Sequence, residues 1–190
     1  MVAPLTPLGI AVLASLVERP MHPYEMYRLL LERHEDRVVK VRPGSLYHTV
    51  ARLAEQELVE ACGTDRAGGR PERTTYRITP AGRAVLAERV RAMLATPINE
   101  YPQFPLALGE AHNLPRGEVV ELLTARTREL STTIEELTGV RSPAATSAAP
   151  EVYRLDTDYL HAIYTAELHW LRHLLARLEN GDLAWPTYAR

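Results

Sequence analysis

Cysteine is nearly absent from the sequence: Cys62 is the only one among 190 residues. An internal disulfide and any cysteine-rich zinc module are thereby excluded, and Cys62 reads as a small hydrophobe on a strand. No apolar run approaches the roughly 20 residues that a membrane-spanning helix requires. The chain opens without a basic region leading into a long apolar stretch and a processing site, so no membrane partner and a cytoplasmic location are expected. No glycine-rich phosphate cradle opens a helix, because Gly68-Gly69 precedes a strand-like run, and no Ser/His/Asp or Cys/His constellation is specified locally. His169 and His173 stand four residues apart, with His161 two turns earlier. No carboxylate or cysteine arrangement completes a zinc set with them, so no metal, cofactor or enzymatic activity is expected.

What remains is an ordinary globular composition, 46 % hydrophobic and 24 % charged, so most of the chain is expected to fold. At 190 residues there is room for one small reading module and a second element of similar size. The net charge of −2 hides an asymmetry. Residues 1–95 hold 14 Lys/Arg against 11 Asp/Glu, and residues 96–190 hold 8 against 13. Arg66, Arg70, Arg73, Arg77 and Arg83 face a single acid, Glu72, between positions 66 and 83. Such a patch suits phosphates, whatever the total charge.

Hydrophobic periodicity orders the first half. Leu8, Val12, Leu13 and Leu16 form the inward face of a first helix that starts at Thr6-Pro7 and ends near Arg19-Pro20. A second helix spans about Pro23 to Arg33, carrying Tyr24, Tyr27, Leu30 and Leu31. After Arg42-Pro43-Gly44-Ser45 a third helix begins, in which Leu46, Val50 and Leu53 bury one stripe and leave Tyr47, His48 and Arg52 on other faces. Leu58–Cys62 and Thr74–Ile78 are strand-like, separated by a polar, basic, glycine-rich tip. Thr79 caps a fourth helix that carries Leu86, Val90, Met93 and Leu94 on one side.

This order is that of a winged helix-turn-helix, and it points to duplex DNA. The third helix would enter the major groove, its N-terminal amides and Ser45 meeting a phosphate. His48, Thr49 and Arg52 are candidates for base edges or nearby phosphates, and Tyr47 either touches the backbone or locks the second helix. Tyr24 and Lys40 join the DNA-binding set. Arg66, Arg70 and Arg73 would line the wing. For any one of these residues a plain surface or core role stands beside the DNA role, and a solvated basic hairpin is the bland reading of the wing.

Prolines 97, 102, 105 and 115 interrupt the chain beyond Thr96, placing a boundary between a DNA-binding domain over 1–96 and a helical domain over 97–190. Leu114 to Leu137 reads as a helix ending near Gly139, and residues 141–150 as a loop. From about Asp156 to Leu178, the residues Tyr164, Leu168, Leu171, Leu175 and Leu178 make an apolar seam. Its partner is either the helix at 115–137 or a second chain, and a homodimer is expected because palindromic DNA sites favour two-fold proteins. Tyr159, Tyr164 and Trp170 are candidates for a small aromatic or hydrophobic effector, with interface packing as the plainer alternative.

Several pieces together carry a family resemblance. Met21-His22-Pro23-Tyr24-Glu25-Met26, then Gly44-Ser45-Leu46-Tyr47-His48-Thr49-Val50 with Arg52-Leu53, then Gly69-Arg70-Pro71 with Tyr76-Arg77-Ile78-Thr79 and Gly82, resemble the PadR family of bacterial transcriptional regulators. Pro23 stands where the family commonly has glycine, and His48 where many members have proline, so operator preference does not transfer. The proline-rich joint Glu100 to Gly109 resembles the branch with a long helical C-terminal domain. That branch is similar to a dimerisation device that holds two winged domains apart.

The resemblance implies a mainly α fold, with an N-terminal winged helix-turn-helix, a two-stranded β wing and a C-terminal helical dimerisation domain. The function it implies is a dimeric repressor on a palindromic operator, released by a small-molecule effector. A winged-helix protein-interaction scaffold that does not bind DNA is the alternative.

Overall fold

The computed structural model describes residues 5–65, 73–141 and 150–186. The chain divides into two compact units, Met1–Asn99 and Glu100–Arg190. The fold is mainly α, with a two-stranded antiparallel sheet. No helix among the described residues is long and apolar enough to cross a membrane.

Unit 1 begins with α1 (Pro7–Glu18), whose start follows from its sequence. Thr6 Oγ1 accepts the Gly9 N–H at 3.1 Å, and Pro7 occupies the first turn, where its missing N–H costs nothing. Leu8, Val12, Leu13 and Leu16 are buried, each contributing about 1.5–3 kcal/mol by leaving water. Helix α2 (Pro23–Glu32) is capped by the His22 ring, with Glu25 reaching back to the His22 backbone N–H. A short 3-10 turn at Glu35–Arg37 then leads to α3 (Pro43–Glu55).

Strands β1 (Val59–Asp65) and β2 (Arg73–Ile78) pair with Val59 opposite Ile78 and Ala61 opposite Tyr76. The register shifts between Ala61 and Gly63, so Cys62 sits in a bulge. Met21 adds an outer rung, exchanging both backbone hydrogen bonds with Tyr76 at 3.0 Å. The link between α1 and α2 is thereby tied to the sheet.

Helix α4 (Pro80–Ala95) is fixed at its first turn. Thr79 Oγ1 accepts the Gly82 N–H at 3.0 Å and donates to Glu57 O at 2.8 Å. Gly82 is required by close approach, because a Cβ there would lie 2.1 Å from Leu58 O. Only the start of α4 meets the core, through Val85 and Leu86. Val90, Met93 and Leu94, expected on the same packed side, are exposed.

Unit 2 contains α5 (Gln103–Glu110), α6 (Arg116–Arg141) and α7 (Leu155–Glu179). Helix α5 lies inside what the sequence presents as a proline-interrupted joint. Pro102 stands at its cap and Pro105 within its first turn, where proline is tolerated. Helix α6 runs through Gly139, the residue expected to end it. Of the expected loop over 141–150, residues 142–149 fall outside the described residues. Helices α6 and α7 pack along their length around Val119, Leu123, Leu130, Leu168, Leu171, Leu175 and Leu178.

Candidate nucleic-acid interface

Helix α3 separates its side chains by the 3.6-residue period. Leu46, Val50 and Leu53 are buried against α1, α2 and β1. Ser45, Tyr47 and His48 are exposed on the outward side. Thr49 does not join them. It is only 6 % exposed, and its hydroxyl donates to Ser45 O at 2.7 Å, so its side chain packs inward and is withdrawn from the outward face. Arg52 is half-buried and leans toward α1, its Nη2 donating to Thr6 Oγ1 at 3.4 Å.

The N-terminus of α3 is open. Arg42 at the cap position makes no side-chain cap hydrogen bond, and Pro43 supplies no amide. The next amides, of Gly44 and Ser45, lie where a helix start attracts anions. A Cβ built on Gly44 would meet nothing within 4 Å, so nothing inside the chain demands glycine there. Lys40 and Arg42 flank this end, both exposed. Several other cations of unit 1 are paired with acids: Arg33 holds Glu18, with Nη2 at 2.9 Å from Oε2, Arg28 pairs with Glu32 at 3.0 Å and Arg77 with Glu60 at 2.8 Å.

Helix α2 is locked to α3 through His22. Its Nδ1 accepts the Tyr24 N–H at 3.1 Å, and its ring meets Tyr47 edge-on, centroids 6.0 Å apart. Tyr24 itself is half-exposed. Glu25 accepts the His22 N–H at 3.0 Å. That hydrogen bond holds its carboxyl below the usual glutamate range, with Arg19 adding to the effect. Glu18 is held low by its hydrogen bond from Arg33. Arg66 and Arg70 lie outside the described residues, as does the side chain of Arg73 on β2.

In unit 2 the expected dimer seam is occupied within the chain. Leu168, Leu171, Leu175 and Leu178 are buried, and Tyr164 is partly buried, all in the cluster with α6. A second copy would have to meet another face. The opposite side of α7 offers one, since Leu155, Tyr159, Ile163 and Trp170 are between 45 % and 65 % exposed. The three effector candidates do not converge. Tyr164 faces α6, while Tyr159 and Trp170 stand about 16 Å apart along the helix at 1.5 Å per residue. Trp170 instead borders a cavity with Phe104, Arg126 and Glu167. Among the described residues, no group of three or more His, Cys, Asp or Glu is placed to hold a metal ion.

Residues 12–88 match the transcriptional regulator PadR-like family. Over that stretch, within unit 1, the chain carries a PadR-like domain. No curated protein matches the sequence. Among solved structures, Bacillus subtilis PadR in complex with operator DNA is 19 % identical with a TM-score of 0.77, covering 93 % of this chain and 99 % of that one. The same protein in complex with p-coumaric acid is 16 % identical with a TM-score of 0.74, covering 90 % and 97 %. The PadR-like regulator BC1756 from Bacillus cereus is 16 % identical with a TM-score of 0.64, covering 91 % and 97 %. At these identities the likeness shows the fold.

Within the PadR-like domain, sequence reasoning passed over Arg42 as a phosphate candidate, although its place just before Pro43 at a helix start was a readable signal. It also missed the ring of His22 as a helix cap. In unit 2 it missed Phe104 and Arg126, whose stacking joins α5 to α6. Contacts between helices carry no mark in local periodicity.

Proposed function

We propose that the chain is a DNA-binding transcriptional regulator that acts as a dimeric repressor on a palindromic operator and is released by a small molecule bound in unit 2. The observation that carries this reading is the outward face of α3. Ser45, Tyr47 and His48 stand exposed beside an uncapped helix start, while Leu46, Val50 and Leu53 anchor the helix from behind. Ser45 and the first amides would bond phosphate, and Tyr47 and His48 would reach backbone or base edges. Lys40, Arg42 and the wing arginines Arg66, Arg70 and Arg73 would supply sequence-independent attraction. Tyr24 would join the backbone contacts.

The exposed stripe of Leu155, Tyr159 and Ile163 supports a dimer with α7 at its centre. A relative solved with operator DNA and with p-coumaric acid supports both the DNA and the effector parts of the reading. The test is binding of the purified protein to its own upstream DNA, titrated against salt, with a scrambled duplex alongside. The reading predicts sequence preference and a linear fall of log K with log salt, steeper the more phosphates are neutralised. No preference for upstream DNA at any salt would favour a protein-interaction scaffold.

A further inference from the structure

We propose that the cavity beneath α5 is a binding site for an uncharged mono- or bicyclic aromatic molecule. This deepens the reading of unit 2 as effector-responsive and rests on it for its regulatory meaning. The cavity holds about 240 Å³ and is walled by Phe104, Leu108, Ala111, Leu122 and Leu123, with Arg126 at its edge. The hollow is open to solvent on one side, so it is an apolar recess that a ligand can enter. A neighbouring lobe of about 440 Å³ shares Phe104, Leu108 and Arg126 and adds Pro102, Pro105, Glu167 and Trp170.

The roof of this cavity is a loosely seated helix. No residue of α5 is fully buried. Phe104 and Leu108 only partly pack on the cluster below. Arg126 pins one end, its guanidinium 3.6 Å over the Phe104 ring. Past its other end, after a 3-10 turn at Ala111–Asn113, the Trp185 indole N–H donates to Leu114 O at 2.9 Å. Between these two pins, α5 spans the hollow, and a ligand beneath it would bury the apolar side of the helix.

The chemistry of the walls selects the ligand. Arg126 and Glu167 form an ion pair at 2.7 Å, so the charged groups bordering the lobes already cancel. A carboxylate in the cavity would meet only Arg126, which Glu167 already neutralises, and in the neighbouring lobe it would face Glu167 itself; an ammonium would meet Arg126 in both. The Phe104 ring with its stacked guanidinium, and the Trp170 indole, offer flat faces on which an aromatic ring packs well.

The test is calorimetric titration of the full chain with 1-naphthol and with 1-naphthoate, which shares the ring system and adds a negative charge. One 1-naphthol is expected per chain, with 1-naphthoate at least tenfold weaker. Ala111→Phe and Leu122→Trp each fill the cavity from a different wall, and each is expected to weaken 1-naphthol at least tenfold while helix content by circular dichroism is kept. Leu106→Ser, outside the cavity walls, is expected to bind as the parent does. Absence of 1-naphthol binding, equal affinity for 1-naphthoate, or full affinity in the filled variants that fold would overturn the proposal. DNA binding measured on the same preparations separates the two readings. Loss of the ligand with DNA binding intact removes this site alone, and a bound ligand on a protein that never binds DNA removes the proposed function alone.

Discussion

His22 and Tyr47 meet edge to face, ring centroids 6.0 Å apart and planes at 73°, so the residue that caps α2 also steadies the exposed tyrosine of α3. The two helices of the helix-turn-helix are joined by a contact on their surface as well as by the core beneath them. Replacing His22 by Ala removes the acceptor for the Tyr24 N–H and the ring beside Tyr47. A loss of about 1 kcal/mol is expected, as for other N-cap truncations, read as a lower midpoint in urea. His22→Asn, which restores a capping oxygen without the ring, is expected to recover stability and not the placement of Tyr47.

Acid is expected to loosen the same region. Glu25 and Glu18 have pKa values held below the ordinary glutamate range, by the His22 N–H and by Arg33 respectively. A depressed carboxylate stabilises the fold fully above its unfolded pKa, and the contribution fades as pH falls through the folded value. Stability is therefore expected to decline as pH drops below about 4.5, the unfolded glutamate range. Both groups are largely exposed, so screening keeps the effect small. Unfolding midpoints of the parent and of Glu25→Gln, followed from pH 7 to pH 3, check this, and the variant is expected to show the shallower decline.

Gly82 is the position at which one added methyl group should do most harm. Its Cβ would lie 2.1 Å from Leu58 O and 2.9 Å from Ile78 Cγ1, so α4 must shift away from the base of the sheet. Gly82→Ala is expected to cost about 1–3 kcal/mol, the usual range for overpacking, despite the higher helix propensity of alanine. Thermal unfolding measures it, and an unchanged midpoint would contradict the packing described for α4.

The exposed stripe on α7 gives a test of assembly. Ile163→Asp places a charge at the centre of that stripe without touching the α6 cluster. The proposed dimer predicts a dimeric parent and a monomeric variant of unchanged helix content, read by light scattering and circular dichroism. A variant that remains a dimer would place the interface elsewhere.

Much of unit 1 was legible because its signals are local. Thr6-Pro7, Thr79 and the Leu46, Val50, Leu53 spacing each announce a cap or a buried face within a few residues, and the structure places them so. The inward placement of Thr49 was not legible, because a β-branched residue at the edge of a buried stripe can face either way, and here its hydroxyl donates to the Ser45 carbonyl. In unit 2 the seam on α7 was visible, but its partner was not: leucines at helical spacing pack equally well on the same chain or on another. Helix α5 was hidden by prolines that read as breakers, although two of them sit at a helix start, where proline fits.

The central claim is that duplex DNA approaches the start of α3 closely, and Gly44→Ala tests it most directly. The added Cβ meets nothing within the chain, and alanine is the better helix former, so the fold is expected to gain up to about 1 kcal/mol. Affinity for the upstream duplex, measured at fixed salt, is expected to fall severalfold, because the methyl group would stand where the phosphate backbone approaches. Affinity equal to the parent, in a variant at least as stable, would contradict the account.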